Sequence, residues 1–131
     1  MKTTRRVKGE NMRTDQSIED YLETIYLLSQ SKGDVHRAEV ARELNVSQPA
    51  VTKAVKKLQD LGYVRTEGMH IFLTDSGKRR ATAIYARHVD IRSFLIKLGV
   101  SEAVAEDDAC RLEHVISNET YEALKIFLNS L

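Results

Sequence analysis

The chain has 131 residues, a net charge of +1 and one cysteine, which allows one compact core or two small lobes and excludes a disulfide framework. No stretch approaches the ~18 consecutive apolar residues of a membrane span, and the opening MKTTRRVKGENMR lacks an apolar signal core. A cytoplasmic protein away from membranes is expected, one folded unit with two jobs. Residues 1–80 carry 15 Lys/Arg against 11 Asp/Glu, whereas residues 81–131 carry 5 against 8. A basic front half and an acidic back half suit a DNA-contacting lobe joined to one that holds cations.

Residues 1–13 are polar and basic without an apolar period and read as a disordered arm, or as residues ahead of a true start near Met12. From Ser17, a plausible N-cap, Ile18, Tyr21, Leu22, Ile25 and Tyr26 recur at helical spacing. Gly33 ends that helix. A short helix over Arg37–Leu44 follows, closed by Asn45. Ser47 then caps a second helix with Pro49 in its first turn, which buries Val51, Ala54, Val55 and Leu58 and ends at Gly62. Two β-prone runs, Tyr63–Thr66 and His70–Thr74, flank Glu67-Gly68-Met69 and predict a hairpin. Thr74 caps a long helix to Leu98, with a seam of Ala81, Ile84, His88, Ile91, Leu95 and Leu98. Ser101 caps a helix through about Ile116. Ser117 caps a last one, with the stripe Tyr121, Leu124, Phe127, Leu131.

Two helices joined by a tight turn and followed by a hairpin make a winged helix-turn-helix. The expected fold is mainly α: a winged helix-turn-helix over 14–75, then an all-helical metal-binding and dimerisation lobe over 76–131. Opposite its buried side the second helix of the motif presents Ser47, Gln48, Thr52, Lys53, Lys56 and Lys57. Recognition helices read bases with their N-terminal residues while cations hold phosphates. Gln48 and Thr52 are therefore the expected base readers, with Lys53, Lys56, Lys57 and Arg65 on the backbone; Arg37 and Pro49 complete the DNA-facing set. The hairpin offers only Arg65 and His70 as cations. A solvated lysine face explains any one of these lysines equally well, but not the whole unit.

Asp20 and Glu23 share one face of the first helix. Cys110, Glu113 and His114 stand at i, i+3, i+4, and His88 interrupts an apolar seam. Imidazole, thiolate and carboxylate together suit a first-row divalent metal rather than calcium or magnesium. Each residue also has a plain structural reading: a solvated carboxylate, a hydrogen-bonded core histidine, a small buried thiol. The Cys-x-x-Glu-His cluster is hardest to explain by packing alone.

The stretches IEDYLETIYLL, VARELNVSQPAVTKAVKKLQDLGYV, IFLTDSGK, ARHVDIRSFLIKLGV and DACRLEHVIS resemble the diphtheria-toxin-repressor and manganese-transport-regulator family of bacterial metalloregulators. The resemblance implies metal ligands at Asp20, His88, Glu113 and His114. Glu23 falls where manganese-type members place a carboxylate, and Cys110 where iron-type members place a cysteine and manganese-type members a glutamate. Arg92 stands where members often carry a second-site glutamate, which argues against a second site of that composition; Glu106, where iron-type members have histidine, still offers an oxygen. Ending at Leu131, the chain is expected to be the two-lobed form without a Src-homology-3-like domain.

The resemblance further implies a homodimer on an inverted-repeat duplex DNA operator, repressing iron or manganese uptake when the first helix and the Cys110–His114 helix share a metal ion. Thiolate softness leans the effector toward Fe(II) over Mn(II), with Co(II), Ni(II) and Zn(II) entering in the test tube. Two rivals stand beside it: a winged-helix regulator sensing oxidant at Cys110, and a metal-dependent hydrolase using Glu113 as base, for which no substrate pocket is specified.

Overall fold

The computed structural model describes residues 14–131; the expected arm over 1–13 lies outside the described residues. The elements run α1 (Thr14–Lys32), β1 (Val35–His36), α2 (Arg37–Leu44), α3 (Gln48–Asp60), β2 (Val64–Glu67), β3 (His70–Leu73), α4 (Asp75–Lys97), α5 (Glu102–Leu112) and α6 (Asn118–Asn129). The chain divides into two compact units at the step from Thr82 to Ala83, within α4.

In the first unit α1, α2 and α3 pack together over a three-stranded antiparallel sheet of order β1-β3-β2. Its core is Leu22, Ile25, Val35, Val40, Val51, Val55, Leu58 and Ile71, each less than 3% exposed. Burying a side chain of this size contributes roughly 1.5–3 kcal/mol, so this set is the unit's main source of stability. The helix α1 begins at Thr14, which places Ser17 inside it rather than at its cap. Its first residues, Thr14, Asp15 and Gln16, carry no apolar beat by which a helix start is read. The Ser47 Oγ accepts from the Ala50 N–H at 3.2 Å, and Asn45 closes α2 with φ +57°.

The hairpin pairs Val64 with Leu73 and Glu67 with His70 around Gly68, at φ +61°, so its first strand starts one residue later than the apolar run suggests. β1 has only two residues, too few to show a period. It pairs Val35 with Ile71 and His36 with His70. The Thr74 Oγ1 accepts from the Gly77 N–H at 3.0 Å and donates to the Gly62 carbonyl at 2.7 Å, tying the α4 start to the α3 end. A Cβ on Gly77 would run into the Tyr63 carbonyl oxygen, so the backbone approach there requires glycine.

The second unit holds the rest of α4, with α5 and α6. Along the α4 seam Ala81, Ile84, His88 and Ile91 are buried, but Leu98 is 62% exposed. The Ser101 Oγ accepts from the Val104 N–H at 3.4 Å and the Ser117 Oγ from the Thr120 N–H at 3.1 Å. Tyr121 Oη donates to Asp90 Oδ2 at 2.5 Å, and the rings of Phe94 and Phe127 meet edge to face at 6.0 Å. Helix α5 ends at Leu112, four residues before Ile116. There the chain tightens into short bonds, Val115 N–H to the Leu112 carbonyl at 3.1 Å among them.

Candidate metal centre and nucleic-acid interface

His88 reaches the middle of the second unit because α4 continues unbroken through it with Ile84 and Ile91 buried on the same side. Its ring is held on both edges. Nδ1 lies 2.8 Å from Glu113 Oε1 and 3.8 Å from Cys110 Sγ; Nε2 lies 3.1 Å from Glu106 Oε2. Cys110 Sγ is also 3.8 Å from Glu106 Oε2, and the second Glu113 oxygen is 3.1 Å from His114 Nε2. The side chains of Glu113 and His114 are at most 1% exposed. Burial alone would push the His88 imidazolium to a lower pKa, but its Cys110 and Glu113 partners outweigh it and raise the pKa to about 11.

His88, Glu106 and Cys110 each offer one donor atom within 4.8 Å of the other two. Imidazole, thiolate and carboxylate, with His88 and Cys110 buried and Glu106 half-buried, form a donor set suited to a first-row divalent ion, so these residues fit such a metal. Glu113 and His114, expected on a helical face with Cys110, sit in the turn just beyond α5. The Glu113 N–H still bonds the Ala109 carbonyl at 3.0 Å, which keeps the i, i+3 relation to Cys110. In the first unit Asp20 and Glu23 are both buried on α1, at 4% and 6% exposure.

One residue that the spacing does not single out is Arg87. Its Nη1 donates to the Glu113 carbonyl at 3.0 Å and the Ile116 carbonyl at 3.1 Å, while its guanidinium lies 4.8 Å from the Tyr121 ring centroid. It thereby satisfies carbonyls left open where α5 ends and fixes the turn that carries Glu113 and His114. An arginine next to a candidate ligand was the only available signal. Arg92 Nε lies 3.3 Å from Glu106 Oε1, so a fixed cation already stands beside that carboxylate.

On α3 the structure exposes Gln48, Pro49, Thr52, Lys53, Lys56 and Lys57, with Val51, Ala54, Val55 and Leu58 buried behind them. Ser47 is exposed at the cap. Lys57 also lines a cleft with Glu19 and Arg80, which sets it apart from the other lysines. Arg65 is tied within the hairpin, 3.1 Å from Glu67 and 4.6 Å from the Phe72 ring centroid. Arg37, half-buried at the start of α2, donates its N–H to the Met69 carbonyl at 3.2 Å.

Residues 13–70 match the iron dependent repressor N-terminal DNA-binding domain, and residues 74–131 match the iron dependent repressor metal-binding and dimerisation domain. The chain belongs to the iron-dependent repressor family. It is thus a metal-dependent DNA-binding transcriptional regulator of the diphtheria-toxin-repressor and manganese-transport-regulator type. It is 45% identical over 116 residues to an uncharacterised HTH-type transcriptional regulator of Methanocaldococcus jannaschii, covering 86% of this chain and 93% of the relative. It is 37% identical over 111 residues to the transcriptional regulator MntR of Escherichia coli, covering 84% and 72%. A manganese-dependent transcriptional repressor solved with manganese superposes with a TM-score of 0.78 at 31% identity, over 86% of this chain and 52% of that one. The chain therefore spans about half the length of that solved relative. Both domains of this family member are mainly helical, as expected from its periodicity, and no helix among the described residues is long and apolar enough to cross a membrane.

Proposed function

We propose that this regulator is a homodimeric repressor of iron or manganese uptake, licensed for its inverted-repeat operator by Fe(II) or Mn(II). The ligands are Asp20, Glu23, His88, Cys110, Glu113 and His114, with Glu106 as a further oxygen. The observation that carries this is the buried His88 ring, flanked by Glu113 and Cys110 at Nδ1 and by Glu106 at Nε2. Carboxylates and a thiol converging on one buried imidazole favour positive charge at their centre, and a divalent ion taking imidazole, thiolate and carboxylate donors supplies it.

Each residue then has a task. His88 and His114 give nitrogen donors, Glu113 neutralises charge between their rings, and Arg87 orients the turn. Cys110 adds softness, which leans the choice from Mn(II) toward Fe(II). An ion that binds the DNA-competent state more tightly than the other shifts the population toward it. On α3, Gln48 and Thr52 read bases and Lys53, Lys56 and Lys57 hold phosphates, with Ser47, Pro49, Arg37 and Arg65 beside them. Exposed Leu98, Val104, Val115, Phe127 and Leu131 offer the apolar surface for dimerisation. Cys110 is 6% exposed, which disfavours direct oxidant sensing at its sulfur.

The test is anaerobic titration of operator binding with Fe(II), Mn(II) and Zn(II), in the natural chain and in His88→Ala. Operator binding is expected to need Fe(II) or Mn(II) in the natural chain and to stay weak in His88→Ala even with those ions present. Equal affinity in the presence of a chelator would overturn metal licensing.

A further inference from the structure

Four histidines occur in the chain, and the candidate metal centre takes only His88 and His114. The other two, His36 and His70, face one another across the β1–β3 pair, with ring centroids 4.1 Å apart. Asp34 joins them: its Oδ1 lies 2.9 Å from His70 Nδ1. One donor atom from each of the three lies within 4.8 Å of the other two. All three belong to the DNA-binding unit and share no residue with the His88 cluster.

We propose that Asp34, His36 and His70 form a second, solvent-accessible transition-metal site, selective for Zn(II) and ions like it over Mn(II). Donors at about 2.0–2.2 Å from a zinc ion stand roughly 3–3.5 Å from one another. The Asp34–His70 pair is already near that spacing at 2.9 Å, and a His36 donor atom within 4.8 Å of a donor on each of the other two has to close inward to complete the set. The frame beneath is fixed. Val35, between two of the donors in sequence, is fully buried; the His36 N–H donates to Glu39 Oε1 at 3.0 Å, and the Arg37 N–H to the Met69 carbonyl. Asp34 and His36 are exposed and His70 half-buried, so an ion has an entry path and water can fill its remaining positions.

Two imidazoles and one carboxylate, without thiolate, suit Zn(II), Cu(II), Ni(II) or Co(II), all of which bind such sites more tightly than Mn(II) does. An ion there ties the turn after α1 and the start of α2 to the wing strand β3. Occupancy would therefore stiffen the wing in response to an ion other than the one proposed to license the operator.

The probe is Zn(II) added to the full-length protein, read by the imidazole 15N signals of the four histidines and by equilibrium dialysis. At saturation the ring nitrogens of His36 and His70 are expected to shift, and His70→Gln to bind one Zn(II) fewer per chain. Asp34→Asn should weaken that Zn(II) by at least about tenfold, and unchanged affinity would remove Asp34 from the ligand set. Mn(II) at the same concentration should leave the His36 and His70 signals in place while broadening those of His88 and His114. Zn(II) that leaves both wing histidines unshifted, or an undiminished stoichiometry in His70→Gln, would overturn the site and leave an Asp34–His70 ion pair only. The ring signals of the unmutated protein decide this without any variant, and the result is independent of which ion licenses DNA binding.

Discussion

Replacing Glu113 by Gln separates its two roles. The carboxylate is 1% exposed, 2.8 Å from His88 Nδ1 and 3.1 Å from His114 Nε2, so Glu113→Gln keeps the shape but removes a buried charge. Removing one partner of a buried ion pair costs about 3–5 kcal/mol. His88 retains Glu106 and Cys110 as neighbours, which places the metal-free loss near the lower end, about 3 kcal/mol. An amide is also a far weaker metal donor than a carboxylate. A hundredfold weaker Kd would reduce the metal-linked stabilisation by about 2.7 kcal/mol at a given excess of ion. Urea melts of both proteins, each with and without Mn(II), read the two quantities separately. The baseline and the metal increment are both expected to fall. A variant with lowered baseline but a full metal increment would refute Glu113 as a ligand, and an unchanged baseline would refute the ion pair.

Arg87→Met keeps the apolar stem but frees the Glu113 and Ile116 carbonyls, and should weaken metal binding about 10- to 100-fold by loosening the ligand turn; competition against a fluorescent chelator measures it. Gly77→Ala drives a methyl into the Tyr63 carbonyl and should cost about 1–3 kcal/mol in a denaturant melt. Because the His88 pKa is raised from 6.5 to about 11, its stabilisation of the metal-free protein is complete below pH 6.5 and is lost as pH rises through about 11. Urea midpoints of the metal-free protein should therefore decline across that window, and a flat profile would contradict the buried imidazolium. Lys53→Ala should weaken all DNA sequences alike and lower the salt slope by ~1, whereas Gln48→Ala should relax one base position by roughly 1–3 kcal/mol; salt-dependent binding to operator variants distinguishes them.

Helix ends marked by a side-chain acceptor or a left-handed residue were legible in the sequence: Ser47, Thr74, Ser101 and Ser117 each take the backbone N–H expected of a cap, and Asn45, Gly62 and Gly99 each adopt positive φ. These signals are local, needing only the residue and its neighbours. What escaped is what depends on distant pairing. β1 exists because Val35 meets Ile71, 36 positions away, and a two-residue strand carries no alternation of its own. The early end of α5 is set with Arg87, from a different helix, and the Leu98 seam position is exposed because a period says nothing about where its partner surface stops.

The candidate centre divides along the same line. The Cys110, Glu113 and His114 spacing was visible because one stretch of chain carries it, and His88 stood out as a polar residue in an apolar seam. The role of Glu106 came only through resemblance, since its closeness to His88 and Cys110 depends on how α4 and α5 pack. Arg92 shows why donor type alone is insufficient. Its Nε, 3.3 Å from Glu106 Oε1, supplies a positive charge that cannot dissociate, so part of that carboxylate's field is already balanced. Glu113 turns its two oxygens toward the ring nitrogens of His88 and His114. Two carboxylates around the same histidine thereby have unequal neighbours, an arginine beside Glu106 and two imidazoles beside Glu113.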